Sequence, residues 1–254
     1  MFITKKSDNL TKVFLRTIIF LFTILVLGLW LDSKFFEFHL FEKQWIPNFL
    51  IIILFAVLYR RATKKVKEFL IYAIIIAIIG ECFFSLLLEM YTYRLHNVPI
   101  YVFFGHAILF ATVFYFCKAS AVKLHKKKFE NIFTAIAIVY ATAFLLIVND
   151  VWGFILTGLT LTILIFKPRE RLFYLTMYIC VAFLEIIGTW YQCWFWPPYA
   201  LNIESKFLSS YNPPTGISFF YFGLDLGCLF LYKLRHKVAW KRMKNIRKLR
   251  LLNS

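Results

Sequence analysis

Four ionisable residues sit where an apolar chain should not carry them. Glu81, Glu185 and Asp225 interrupt long apolar runs, and His106 follows Phe103-Phe104-Gly105 in another. An acid at membrane depth is costly and faces a bundle interior or a cavity. Acids placed close together in apolar surroundings drive their proton affinities apart, so one donates while another accepts. A histidine beside them shuttles a proton or orients an acid. The expected catalytic set is therefore Glu81, His106, Glu185 and Asp225, with Glu185 and Asp225 as the main acid–base pair. Candidate substrate-binding residues flank these acids. They are Glu89, Tyr93 and Arg94, then Trp190, Gln192 and Trp194, then Asn212 in the run Asn212-Pro213-Pro214-Thr215-Gly216. Arg94 is suited to pair with Glu89 or to hold an anionic headgroup. Trp190, Trp194 and Trp196 are suited to line the mouth of a site for an apolar chain. Each residue also has a plainer role. A neutral acid can hydrogen-bond between helices, Glu89 and Arg94 can form an interfacial ion pair, the tryptophans can be an aromatic belt, and the prolines can stiffen a turn.

The elements that must position these groups are membrane spans. The 254 residues are 61% hydrophobic and 17% charged, against about half apolar and a quarter charged in a soluble domain. Long apolar runs recur, so the expected fold is an all-α, polytopic transmembrane bundle forming one integral membrane domain over 1–254. The eight spans fall at about 13–31, 45–59, 68–90, 99–117, 129–148, 151–166, 172–196 and 217–234, followed by a basic tail over 235–254. Asp32–Gln44, with four phenylalanines among charges, reads as an interfacial segment. The first apolar run lacks a cleavage site and reads as a retained helix.

On this layout 26 of the 30 lysines and arginines fall on one side, and four (Lys34, Lys43, Arg94 and Lys206) on the other. The positive-inside rule then places both termini in the cytoplasm of a plasma (inner) membrane protein. The net charge of +17 is thereby explained without nucleic acid, which is not an expected partner. The tail interleaves Trp240, Met243, Ile246 and Leu249 with cations. It reads as a helix on the anionic inner leaflet, so membrane lipids are expected partners. No oligomeric state follows from the sequence.

A repeat also shows. Glu68-Phe-Leu-Ile-Tyr72 matches Glu170-Arg-Leu-Phe-Tyr174, and Tyr-Phe-Gly at 221–223 echoes Phe-Phe-Gly at 103–105. Two parallel halves of four spans are the expectation.

Depth brings the acids together. At 1.5 Å per residue, Glu81 lies about 12 Å inward of Glu89 and His106 about 10 Å inward of Pro99. Asp225 lies about 13 Å inward of Gly216, and Glu185 about 16 Å inward of Trp196. Spans three, four, seven and eight thus bring ionisable groups to one band in the outer half of the membrane. Three functions use such a band. The first is an enzyme doing acid–base chemistry on an apolar or amphipathic lipid or isoprenoid. The second is a proton-coupled transporter, and the third is a scaffold whose acids pair with a partner's cations.

Other chemistries lack their residues. The five cysteines form no CxxC pair, and the five histidines are scattered. There is no HExxH motif, glycine-rich phosphate loop or nucleophile elbow, so neither metal nor cofactor is expected. The segments Tyr91-x-Tyr93…Val98-Pro99 and Trp194-x-Trp196…Asn212-Pro213 resemble the carotenoid-hydratase type of membrane protein. The likeness covers those two short outer loops and assigns no family.

Overall fold

The computed structural model describes residues 8–36, 43–166, 170–205 and 208–252. Among them the chain is overwhelmingly helical. In order come α1 (Leu10–Asp32), α2 (Trp45–Arg61), α3 (Lys64–Leu87), α4 (Ile100–Lys118) and the short α5 (Ser120–Leu124). Then follow α6 (Lys126–Val148), α7 (Val151–Phe166), α8 (Arg171–Trp190), α9 (Ser218–Arg235) and α10 (Lys237–Leu252). Five of them, α1, α3, α4, α6 and α8, are long and apolar enough to cross a membrane. α7 is apolar but shorter, and α2 and α9 have 17 and 18 residues. The interfacial reading of Asp32–Gln44 falls largely on 37–42, outside the described residues. The same holds for Lys167 and Lys206, and for the side chains of Met243 and Leu249.

The burial pattern is that of a bundle whose solvent is apolar. Leu146 and Ile147 on α6 are 78% and 79% exposed. In water such faces would be large exposed apolar patches. The interior is organised around α4, where Ala107, Ile108, Leu109, Phe110, Ala111, Val113 and Phe116 are all buried. A helix that is apolar all round belongs in the middle of a bundle, and α4 packs against α1, α2, α3 and α8. α9 closes the other flank against α3, α7 and α8.

Two helices end earlier than their apolar runs suggest, for the same reason. α3 widens into a π turn over Cys82–Leu87, and Glu89 then takes a left-handed conformation (φ 47°). α8 stops at Trp190, and Gln192 is left-handed (φ 56°), so 191–196 leaves the helix. A left-handed residue terminates a helix and turns the chain back. In both cases a two-residue strand follows: β1 (Thr92–Tyr93) and β2 (Trp194–Phe195). They pair antiparallel, Thr92 opposite Phe195 and Tyr93 opposite Trp194, with Arg94 N donating to Cys193 O at 2.9 Å. This ladder defines the strand end of the bundle. At the opposite, basic end the His236 ring meets Glu68 at 2.7 Å.

The long 197–216 connection is held at the strand end by Asp150. Its Oδ1 caps α7 by accepting from Gly153 N (3.1 Å) and also accepts from Tyr211 N (3.1 Å). Its Oδ2 accepts from Thr215 N (2.8 Å) and Thr215 Oγ1 (2.9 Å). The approach is close enough that a side chain at Gly153 or Gly216 would collide with the facing backbone.

Candidate functional site

The ladder explains why tyrosines and tryptophans come in alternate pairs. Successive strand side chains point to opposite faces. Thr92 and Phe195 are exposed, whereas Tyr93, Trp194 and Trp196 are buried and Tyr91 is half-buried. Each loop therefore turns two aromatic donors inward onto the acid of its own preceding helix. Tyr91 Oη and Tyr93 Oη donate to Glu81 Oε2 at 2.6 and 2.7 Å. Trp194 Nε1 and Trp196 Nε1 donate to Glu185 Oε2 at 2.8 and 3.0 Å. Trp194 reaches that acid because it lies across Gly188, where any side chain would overlap the indole.

The two acids differ in their second oxygen. Glu81 Oε1 is 2.9 Å from His106 Nε2 on α4. Two phenols already occupy Oε2, so Oε1 and Nε2 hold one proton between them. Burial, and after it the charge of Glu81, push the Tyr91 and Tyr93 phenols well above their ordinary range, which keeps both as donors. On Glu185, an indole N–H can only donate, so Oε2 accepts twice and a proton on this acid resides on Oε1. Tyr221 of α9 borders the same site, with its ring centroid 4.9 Å from that of His106.

Glu81, His106 and Glu185 all line one cavity of about 840 Å³, and Tyr91, Tyr93, Trp194, Trp196 and Tyr221 join them at its strand end. The other walls are mainly aliphatic and phenylalanine side chains of α1, α2, α3, α4 and α9, with Ile163 of α7, Leu184 of α8 and the phenols Tyr101 and Tyr174. The arrangement can move a proton to or from an apolar molecule with water largely displaced. Among the described residues no group of three His, Cys, Asp or Glu side chains is placed to hold a metal.

The structure separates the remaining sequence candidates. Asp225 does not line the cavity. It is buried on α9, and neither carboxylate oxygen has a hydrogen-bond partner among the described residues. It does not pair with Glu185. Glu89 is exposed, and its carbonyl accepts from Asn202 Nδ2 at 3.2 Å. Gln192 is exposed, with its N bonded to Thr189 O at 3.0 Å. These two serve as the turn residues of the paired loops. Trp190 is 73% exposed and points out of the bundle. Asn212 Oδ1 accepts from Trp196 N at 3.0 Å, so it positions that strand from behind.

Arg94 goes to neither Glu89 nor the surface. Its Nη2 meets Asp32 Oδ1 at 2.9 Å, at the end of α1. Asp32 is fully buried. Its Oδ2 accepts from Tyr101 Oη (2.7 Å), and its Oδ1 also accepts from Gln44 Nε2 (3.4 Å). This latch ties α1, α4 and both connecting loops together beside the cavity. Asp32, Tyr101, Tyr221 and Asp150 carry structural roles that the sequence reading did not assign. Asp32 and Asp150 sit at helix ends, where an acid is ordinary and gives no sign of burial.

The chain matches no protein-family model, no curated protein and no solved structure.

Proposed function

We propose that this chain is a multi-pass membrane enzyme performing acid–base chemistry on an apolar or amphipathic lipid or isoprenoid. The observation that carries the proposal is the meeting of Glu81–His106 and Glu185 at one end of a single, largely apolar cavity. Glu185 supplies or takes one proton through Oε1, and the Glu81–His106 pair handles the other. The tyrosines and tryptophans fix both carboxyls before substrate arrives, so little reorganisation is needed during reaction. Apolar walls exclude water and strengthen every electrostatic contact inside.

The membrane layout belongs to the same reading. Eight spans, with both termini on the cytoplasmic side of the plasma (inner) membrane, put 26 of 30 cations inside. The ladder end and its acids then face outward, and the basic helix α10 rests on anionic lipid. Two parallel four-span halves accord with the matching order of helix, acid, strand and helix in α3–β1–α4 and α8–β2–α9. A proton-coupled carrier needs a polar path onward from the acids. The cavity walls toward the basic end are Phe20, Ile24, Leu54 and Leu226 with the single phenol of Tyr174, which is no continuous polar path and favours the enzyme.

The test compares extracted lipids by mass spectrometry in cells with the intact chain, a deletion and Glu185→Gln. The expected result is one accumulating precursor in both altered strains. A lipid profile unchanged in both overturns the proposal. Proton-coupled uptake into vesicles that disappears with Glu185→Gln would make the chain a carrier instead.

A further inference from the structure

Nine glycines occur in the chain, and four of them line the cavity from four different helices: Gly28 on α1, Gly80 on α3, Gly105 on α4 and Gly223 on α9. Glycine inside a helix is unfavourable relative to alanine, because it loses more backbone freedom and packs nothing. In a membrane bundle the usual return is close approach of two backbones. Gly153 and Gly216 show that return: a Cβ at either would collide with facing backbone. At Gly28, Gly80, Gly105 and Gly223 a Cβ would meet no atom within 4 Å. Packing gives these four no reason to be glycine. Their common property is the empty volume they border.

The shape of that volume identifies its occupant. The lining runs along α1 from Phe20 to Leu31, and on α8 it takes in Tyr174 at one end of a matching stretch and Leu184 and Glu185 at the other. Each stretch is about 16 Å at 1.5 Å per residue. Glu81, His106 and Glu185 stand at one end, and the rest of the wall is largely apolar, with the Tyr174 phenol toward the other end. We infer that Gly28, Gly80, Gly105 and Gly223 are the specificity-determining walls of a groove that holds one elongated apolar chain, its polar or reacting end at Glu81 and Glu185. The inference rests on the reading that the cavity takes an apolar molecule, and it names what sets the shape of that molecule. Side chains at these positions narrow the groove without touching the polar groups.

The experiment uses the full chain in lipid nanodiscs and a long-chain primary alcohol bearing a mid-chain diazirine. After irradiation, labelled peptides are mapped. Label is expected on α3 and α4 next to Gly80 and Gly105. It should fall about ten-fold, equivalent to ~1.4 kcal/mol of binding, in Gly80→Leu and in Gly105→Leu. Gly158→Leu is the control, since Gly158 also faces open space but does not line the cavity, and it should leave labelling unchanged. Excess unlabelled alcohol should compete, and a fused-ring sterol should not. Should a leucine variant aggregate, Gly28→Leu takes its place, and the wild-type map is decisive without any variant. Label confined to the outer faces of the bundle, undiminished label in the folded variants, or equal competition by the sterol each overturns the groove. Glu185→Gln should keep its label. Unchanged cellular lipids in that variant, together with a labelled groove, would sink the acid–base chemistry alone.

Discussion

Glu81 and Glu185 are held in matching fashion from the two sides of one two-residue ladder. Each accepts two hydrogen bonds on Oε2 from aromatic donors two positions apart, tyrosines for Glu81 and tryptophans for Glu185. One donor of each pair lies in the strand that follows the acid's own helix and the other directly beside it, and the strands pair with each other. The geometry of one acid is thus tied to that of the other through the backbone. The acids remain distinct chemically, because Glu81 has His106 on its second oxygen.

Tyr93→Phe keeps the ring and removes one of the two donors to Glu81. Hydrogen bonds to charged groups contribute about 1.5–3 kcal/mol, so turnover should fall roughly ten-fold or more. Thermal unfolding should change far less, because the ring still packs. Lipid conversion measured beside a melting curve separates the two effects. Full conversion by Tyr93→Phe, and also by the Tyr91→Phe/Tyr93→Phe double variant, would show that Glu81 needs neither phenol.

Gly188→Ala should act through Trp194. The added methyl overlaps the indole and pushes it away from Glu185. Overpacking of this kind costs about 1–3 kcal/mol. In a Trp194→Ala background the same change should be nearly harmless, because the obstacle is gone. The double-mutant cycle, read by thermal unfolding, should give a coupling of about 0.5–3 kcal/mol. Additive effects would mean that Gly188 is not there to seat the indole.

Asp32 and Asp225 are both buried acids, and their replacements should move stability in opposite directions. Asp32→Ala leaves Arg94, Tyr101 and Gln44 without their shared acceptor. Breaking a buried pair from one side costs about 3–5 kcal/mol. Asp225→Val removes a carboxyl that has no partner among the described residues. A buried polar group left unsatisfied costs about 1–3 kcal/mol, so this variant should unfold at a higher temperature. A lower melting point for Asp225→Val would show that the carboxyl does stabilise the fold.

The helices were legible from sequence because an apolar run of spanning length is a local property. All eight expected segments correspond to helices, and counting residues placed Glu81, His106 and Glu185 at comparable distances from the ends of their segments. The exits of α3 and α8 were not legible. Tyr91-x-Tyr93 and Trp194-x-Trp196 carry the alternation of a strand, yet two residues make a strand only when another strand lies alongside. Direction was also out of reach. Counting sets Asp225 in the same band as Glu185, but only packing decides which groups border the cavity, and Tyr221, one turn earlier, does so while Asp225 does not. Arg94 has an acid five residues before it in Glu89, and nothing local favours Asp32, which the fold brings from 62 residues away. What the sequence determined by itself is therefore how much of each element is apolar and how far along it each polar group lies, since both follow from neighbours along the chain. Tertiary structure decided which polar groups meet, because hydrogen bonds between distant residues depend on helix rotation and loop pairing that no single segment specifies.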